Sequence, residues 1–237
     1  MHSNRALVIV PTYNEAENIE ALIDGVRLST SHIEVLVVDD NSPDGTARIV
    51  ERVGKRDPLV HLLKRQQKDG LAAAYLAGFS WGLSRGYDRL LQMDADHSHS
   101  PKDVPRLLKM LETKDVAVGC RYMEGGGTIG WSALRKLISR GGNAYAQTVL
   151  AMPYQDLTGG FNGWRRNVLE RIELDSIRSR GYAFQVEMKY RAHKKGFLIG
   201  EVPILFSNRK FGHSKMSGDI VWEAAFRVIQ LRRMVTT

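Results

Sequence analysis

The chain has 237 residues, 43% of them hydrophobic and 25% charged, the balance of a soluble globular protein built as one large domain or as a domain with an extension. Its net charge of +8 points to anionic partners, whether phosphorylated substrates, nucleic acid or an acidic membrane surface. The single cysteine, Cys120, excludes an intramolecular disulfide and a cysteine metal cluster, and fits a reducing cytosol.

In chain order, the apolar run at residues 6–10 predicts a strand; Pro11 and Asn14 end it early, so it lacks a signal-peptide layout. Residues 15–28 predict a helix with Ile19, Leu22, Ile23 and Val26 on one face, and residues 33–38 a strand that stops at Asp39-Asp40. Helix over 46–53, strand over 60–63, buried helix over 71–83, strand over 89–93, helix over 104–111 and strand over 116–120 continue the rhythm. Repeated β-α alternation with continuous apolar strands predicts a mostly parallel sheet covered by helices on both faces. No run reaches the roughly 18 apolar residues of a membrane span. Residues 219–237 mix Ile220, Val221, Trp222, Ala224, Phe226, Val228, Ile229 and Leu231 with Arg227, Arg232 and Arg233, an amphipathic basic helix able to lie at an anionic interface, against a partner or on the core. The expected division is a globular unit over 1–218 and a helical extension over 219–237.

In open parallel sheets, ligands bind beyond the carboxyl ends of the strands. Three polar segments fall there: Pro11-Thr12-Tyr13-Asn14-Glu15, Asp39-Asp40-Asn41-Ser42-Pro43-Asp44-Gly45-Thr46 and Asp94-Ala95-Asp96. Asp94 and Asp96, two apart on a chain leaving a strand, can turn to one side and hold a hard cation such as Mg²⁺ or Mn²⁺ against phosphates; the alternative for an isolated Asp-x-Asp is a solvated acidic turn. There is no Gly-x-Gly-x-x-Gly after the first strand and no P-loop, so a nucleotide here must be held by side chains and metal. Tyr13 can pack on a base or ribose, and Glu15 and Asp40 can accept its N–H or O–H groups. Thr12 or Asn14, and Ser42 or Asp44, are also plausible helix caps.

The joint pattern V-P-T-Y-N-E, V-V-D-D-x-S-x-D-G-T and M-D-A-D after successive strands resembles the family-2 glycosyltransferases, with their GT-A (Rossmann-like) fold. Later segments narrow the likeness. They are Gly119-Cys120-Arg121-Tyr122 before Gly125-Gly126-Gly127, Arg135-Lys136 with Ile138-Ser139-Arg140-Gly141, Asp156-Leu157-Thr158-Gly159-Gly160-Phe161, Gly181 to Met188, Gly200-Glu201-Val202-Pro203-Ile204, and Arg209 to Lys215. Together they are similar to the dolichol-phosphate (polyprenol-phosphate) mannose synthases.

That resemblance implies transfer of mannose from GDP-mannose to a polyprenyl monophosphate with inversion. Pro11, Tyr13, Glu15, Val38 and Asp40 would line the nucleoside site, and Asp94, Ala95 and Asp96 the diphosphate and metal, with Ser98 as a third metal contact. His97 departs from the usual apolar residue. Arg121, Arg135 and Ser139 would bind the acceptor phosphate, and Arg209 and Lys215 would close over the donor diphosphate. Asp96, Arg121, Arg209 and Lys215 are the expected catalytic groups, with Mg²⁺ or Mn²⁺ as cofactor. Glu187 and Asp156 are bases if the acceptor is a hydroxyl; otherwise they cap or pair with arginines. A lipid acceptor implies a peripheral place on the cytoplasmic face of a membrane, with a membrane-anchoring partner subunit or a membrane domain elsewhere. The alternatives are another nucleotide sugar such as UDP-glucose, and a phosphate- or nucleic-acid-binding protein; the latter lacks stacked aromatic basic motifs and leaves the acidic edge unexplained.

Overall fold

A computed structural model describes residues 5–30, 32–208 and 218–234, with side chains given for 225–233 of the last stretch. The elements are β1 (Ala6–Thr12), α1 (Ile19–Ser29), β2 (Ile33–Asp39), α2 (Thr46–Arg56), β3 (Val60–Lys64), α3 (Leu71–Ser84), β4 (Arg89–Gln92), α4 (Val104–Met110), β5 (Val116–Cys120), β6 (Gly127–Ile129), α5 (Ala133–Leu150), β7 (Asn162–Arg165), α6 (Arg166–Arg171), α7 (Gly181–Lys194), β8 (Ile199–Pro203), β9 (Leu205–Ser207) and α8 (Gly218–Met234). Seven strands form one sheet in the order β3-β2-β1-β4-β7-β5-β8. Every pairing in it is parallel except those of β7 with β4 and β5.

The strands are apolar throughout because both faces are covered. Val8, Val10, Val35 and Val37 point to the face closed by α1 and α4, and Leu7, Ile9, Leu36 and Val38 to the face closed by α3 and α7. On the latter face the approach is close. A Cβ on Gly78 would sit 2.5 Å from Ile9 Cγ2, and one on Gly82 2.5 Å from Leu90 Cδ2. The small residues of α3 thus allow helix and sheet to touch, which explains a helix that is apolar nearly all round.

Two features differ from expectation. Helix α1 starts at Ile19 because the N–H groups of Asn14, Glu15 and Ala16 donate to Ser42 Oγ, Thr46 Oγ1 and Asp44 Oδ2 of the next loop. The expected caps therefore tie two loops together, and residues 13–18 turn before the helix begins. The second feature is β7, which nothing in the apolar pattern signalled. It runs against its neighbours, so Asn162 pairs with Gln92 and Val118 near their carboxyl ends, and the segment before it, 156–161, arrives beside Asp94 and Arg121.

The C-terminal helix α8 is packed on the body along one side. Val228 and Leu231 are buried with Ala146, Leu150, Val186 and Tyr190, and Tyr145 donates to the Ala225 carbonyl at 3.0 Å. Phe226 and Ile229 on the same helix are exposed.

Candidate active site

The register places Thr12 beside Asp39 and Asp39 beside Lys64, and the Met93 N–H donates to the Ile9 carbonyl. The loops after β1, β2, β3 and β4 therefore share one edge. Three non-glycine residues with positive φ, Asn14 at 62°, Asn41 at 58° and His97 at 59°, fall one in each of the loops after β1, β2 and β4. Left-handed backbone in such residues is strained and is retained where the loop's shape is needed.

Within this edge the adjacent carboxylates divide their roles. Asp39 is buried and accepts from Thr12 Oγ1, Ser42 N–H and Ser42 Oγ at 2.8, 2.9 and 2.6 Å, so it braces the loops. Asp40 turns away and pairs with Arg65, which donates to it at 2.7 Å and to Asp69 at 3.0 Å. Burial lifts the Asp40 carboxyl above its ordinary value despite the Arg65 charge. Tyr13 is partly exposed, with the Lys68 ammonium 3.5 Å from its ring centroid, a cation–π contact on the face that a base or ribose would use.

The acidic loop after β4 is held from behind. Tyr75, fully buried, donates to Asp94 Oδ1 at 3.1 Å; burial, reinforced by Asp94, pushes its phenol well above the ordinary range, so it stays a donor. His99 is also buried, stacked 4.8 Å from Phe161, and its Nδ1 accepts the Asp94 N–H at 3.1 Å. Burial pulls His99 below its ordinary value against the nearby carboxylates, so the ring is neutral with its proton on Nε2. It shapes the loop from within the core. Asp96 Oδ1 accepts the Ser98 N–H at 3.0 Å. The Ser98 hydroxyl, in contrast, is buried with no partner among the described residues, as a polar atom awaiting a ligand would be. No group of three His, Cys, Asp or Glu side chains able to hold a metal occurs among the described residues.

Arg121 follows β5 and is almost fully buried. Its Nε and Nη2 donate to Asp156 Oδ2 and Oδ1 at 2.7 and 2.8 Å, and Nη2 also to Thr158 Oγ1 at 2.8 Å. Burial opposes both charges, yet each outweighs it for the other: Asp156 holds the guanidinium above its ordinary value, and Arg121, with Lys189, holds the Asp156 carboxyl below its own. Lys189, completely buried, donates to the carbonyls of Leu157 and Gly159 at 3.1 and 2.7 Å, and burial brings its ammonium down to about 8. Asp156 and Lys189 thus fix the 156–160 segment that faces Asp94.

Residues 7–173 match the profile described as glycosyl transferase family 2. The chain belongs to this family. It is 47% identical over 224 residues to an undecaprenyl-phosphate mannosyltransferase of Micrococcus luteus, covering 94% of this chain and 92% of the relative. It is 44% identical over 230 residues to a polyprenol monophosphomannose synthase of Mycolicibacterium smegmatis, covering 96% and 87%. Among solved structures it superposes on glucosyl-3-phosphoglycerate synthase from Mycobacterium tuberculosis in complex with Mn²⁺, UDP and glucosyl-3-phosphoglycerate, with a TM-score of 0.66, 19% identity, and coverage of 97% and 78%. A mannosyltransferase from Pyrobaculum calidifontis in complex with GDP-Man and Mn²⁺ gives 0.59, 19%, 98% and 70%. The fold is that of the GT-A glycosyltransferases.

In this family-2 domain one cavity of about 450 Å³ runs from the acidic loop to the C-terminal helix. Asp94, Asp96, Ser98 and Gln185 line it together with Arg121, Arg135 and Ser139 and with Ile138, Tyr145, Ala146, Val186 and Val228. Arg135 lies over Trp131 at 4.0 Å and donates to Asn208 Oδ1 at 2.9 Å; Ser139 Oγ and Tyr122 Oη are 2.6 Å apart.

Of the expected residues, Asp94, Asp96, Ser98, Arg121, Arg135 and Ser139 line this one cavity, whereas Pro11, Tyr13, Glu15, Val38, Asp40 and Ala95 are not in its lining. Val38 is a core side chain against α3, so only its backbone is near the nucleoside edge. Arg121 is committed to Asp156 rather than free for phosphate. Glu187 is bound by Arg191 at 2.9 and 2.7 Å and by the Ser179 N–H, so it and Asp156 take the structural reading. Arg209 and Lys215 lie outside the described residues. Arg65 and Lys68 were missed, although inspecting the residues after β3 as after its neighbours would have found them. Gln185, whose Nε2 is buried without a partner among the described residues, and Lys189 carry no such signal.

Proposed function

We propose that the chain transfers mannose from GDP-mannose to a polyprenyl monophosphate, with inversion, giving polyprenyl-phosphate-mannose and GDP. The observation that carries this reading is a cavity whose lining combines two carboxylates, Arg135 with Ser139, and apolar side chains. A nucleoside-diphosphate sugar and a lipid phosphate need those three environments side by side. The names of the two bacterial relatives support the same acceptor and sugar, and the complex of the Pyrobaculum mannosyltransferase supports the donor.

On this reading Tyr13, Glu15 and Asp40, with Pro11 and the Val38 backbone, border the nucleoside. Asp94 and Asp96 would hold Mg²⁺ or Mn²⁺ with the orphaned Ser98 hydroxyl beside them, and Ala95 stands at the diphosphate. The ion, when bound, supplies positive charge to the departing diphosphate. Arg209 and Lys215 add to that charge from the protein. Arg135 and Ser139 orient the acceptor phosphate, and Arg121, fixed by Asp156, contributes its field. A phosphate monoester with a second pKa of about 6 is already ionised near neutrality, so the residues need only position it and exclude water. The pairing of both Asp156 and Glu187 with arginines favours this acceptor over a hydroxyl, which would need a free base.

No described helix is long and apolar enough to cross a membrane. We place the peripheral membrane contact on α5, where Leu134, Leu137 and Ile138 are exposed next to the cavity, together with the exposed side of α8. A membrane-anchoring partner subunit, or a membrane domain elsewhere, would hold the enzyme at the cytoplasmic face. The donor is tested by incubating the chain with a polyprenyl phosphate, Mg²⁺ or Mn²⁺, and either GDP-[¹⁴C]mannose or UDP-[¹⁴C]glucose. Label enters the organic phase from the first; entry from the second alone would replace this donor by the alternative.

A further inference from the structure

A second cavity, of about 300 Å³, adjoins the first and shares Arg121 and Trp131 with it. Tyr122, Met123, Gly126, Gly127, Thr128, Lys136 and Arg140 complete its lining, and no Asp or Glu among the described residues lines it. Helix α5 borders both cavities. Arg135 and Ser139, four apart, line the first; Lys136 and Arg140, each one residue further on, line the second. One residue is roughly 100° of helix rotation, so α5 presents two adjacent rows, each to its own cavity.

The charges here are not balanced. Arg121 is paired with Asp156, whereas neither Lys136 nor Arg140 has a carboxylate partner among the described residues. The indole N–H of Trp131, a residue that borders both cavities, is buried and has no acceptor among the described residues. The 126–128 wall lies close because residue 126 is glycine: a Cβ there would come within 2.6 Å of the Cys120 carbonyl oxygen. An ammonium, a guanidinium fork and an unsatisfied N–H around one polar hollow suit the several acceptor oxygens of a phosphate group.

We propose that this cavity binds a phosphate-bearing anion distinct from the acceptor phosphate, with Lys136 and Arg140 as its charged contacts and the Trp131 N–H as a neutral donor. Its distinctness rests on assigning the acceptor phosphate to Arg135 and Ser139; its binding does not depend on turnover or on the donor. The phosphate can come from an anionic lipid headgroup or from solution, and two probes separate these sources.

The first probe is inorganic phosphate, titrated calorimetrically at low salt into the full chain carrying Arg135→Ala, which silences the acceptor side. Adding Lys136→Gln and Arg140→Gln to that background weakens binding at least about tenfold, as the loss of charge-assisted hydrogen bonds requires. A control with Lys102→Gln and Lys109→Gln, exposed cations elsewhere, leaves it unchanged. The second probe is co-sedimentation of the wild type and of Lys136→Gln/Arg140→Gln with vesicles of phosphatidylcholine alone or mixed with phosphatidylglycerol. A preference for phosphatidylglycerol that the double variant loses assigns the site to a lipid headgroup, and an effect on inorganic phosphate alone assigns it to soluble phosphate. Equal binding of both probes by parent and variant, or an equal loss in the control, overturns the site. With a short water-soluble acceptor phosphate, the acceptor KM of Lys136→Gln/Arg140→Gln stays within about twofold of wild type. A rise matching the loss of phosphate binding would make the cavity part of the acceptor site and overturn its distinctness.

Discussion

Asp156→Ala separates the two roles open to Arg121. The carboxylate accepts four hydrogen bonds, from Arg121 Nε at 2.7 Å, Nη2 at 2.8 Å and N–H at 3.0 Å, and from the Gly159 N–H at 2.9 Å. Both charged groups are buried, so truncating one leaves the other without compensation, a loss of about 3–5 kcal/mol. For a chain of this length each kcal/mol lowers the melting temperature by about 2–4 °C, so the expected fall is roughly 6–20 °C. Arg121→Ala falls by a similar amount, and Arg121→Ala/Asp156→Ala by less than the sum, because removing both charges spares the unpaired one. Thermal denaturation of the three variants reads this directly. The sign with pH follows from the depressed Asp156 carboxyl: its contribution is complete above the ordinary value near 4 and disappears as pH falls through the lower native value. Melting temperatures within about 2 °C of wild type for Asp156→Ala, or strictly additive losses, would refute the pairing and return Arg121 to the acceptor phosphate.

Asp96→Ala abolishes turnover while the chain stays folded by circular dichroism; full activity of the wild type in excess chelator would argue against the metal. Arg135→Ala, a half-buried residue on the cavity wall, raises the acceptor KM about tenfold or more while leaving donor binding intact, and an unchanged acceptor KM counts against its role. Lys189 is buried with its ammonium near 8, below the ordinary 10.5. The unfolded chain therefore holds the extra proton between those values, and stability rises with pH across that window by up to about 3 kcal/mol. Urea denaturation at pH 7, 8, 9 and 10 should show that rise in the wild type and not in Lys189→Met; parallel curves would contradict it.

The left half of the sheet was legible because its strands are unbroken apolar runs and its helices alternate with them in the expected rhythm. The donor edge was legible for the same reason: a rule about strand ends converts such runs directly into positions for Tyr13, Asp40, Asp94 and Asp96. The acceptor half was less so. The strand β7 is only four residues, Asn-Gly-Trp-Arg, with no alternation to mark it, and its antiparallel entry is what delivers Asp156 to Arg121 across 35 residues of chain. A pairing of that range leaves no local trace, so Arg121 read as a free phosphate ligand. The same holds for His99, whose burial, with its ring stacked on the distant Phe161, pulls it below its ordinary value.

The central claim is that one cavity brings a lipid monophosphate to the donor edge, and acceptor discrimination tests it most directly. The chain is given GDP-[¹⁴C]mannose and divalent metal with a polyprenyl monophosphate or with the matching polyprenol that lacks the phosphate, and organic-phase label is counted. Label is expected with the monophosphate and near background with the free alcohol. Equal labelling of both, or labelling of the alcohol alone, would contradict the account.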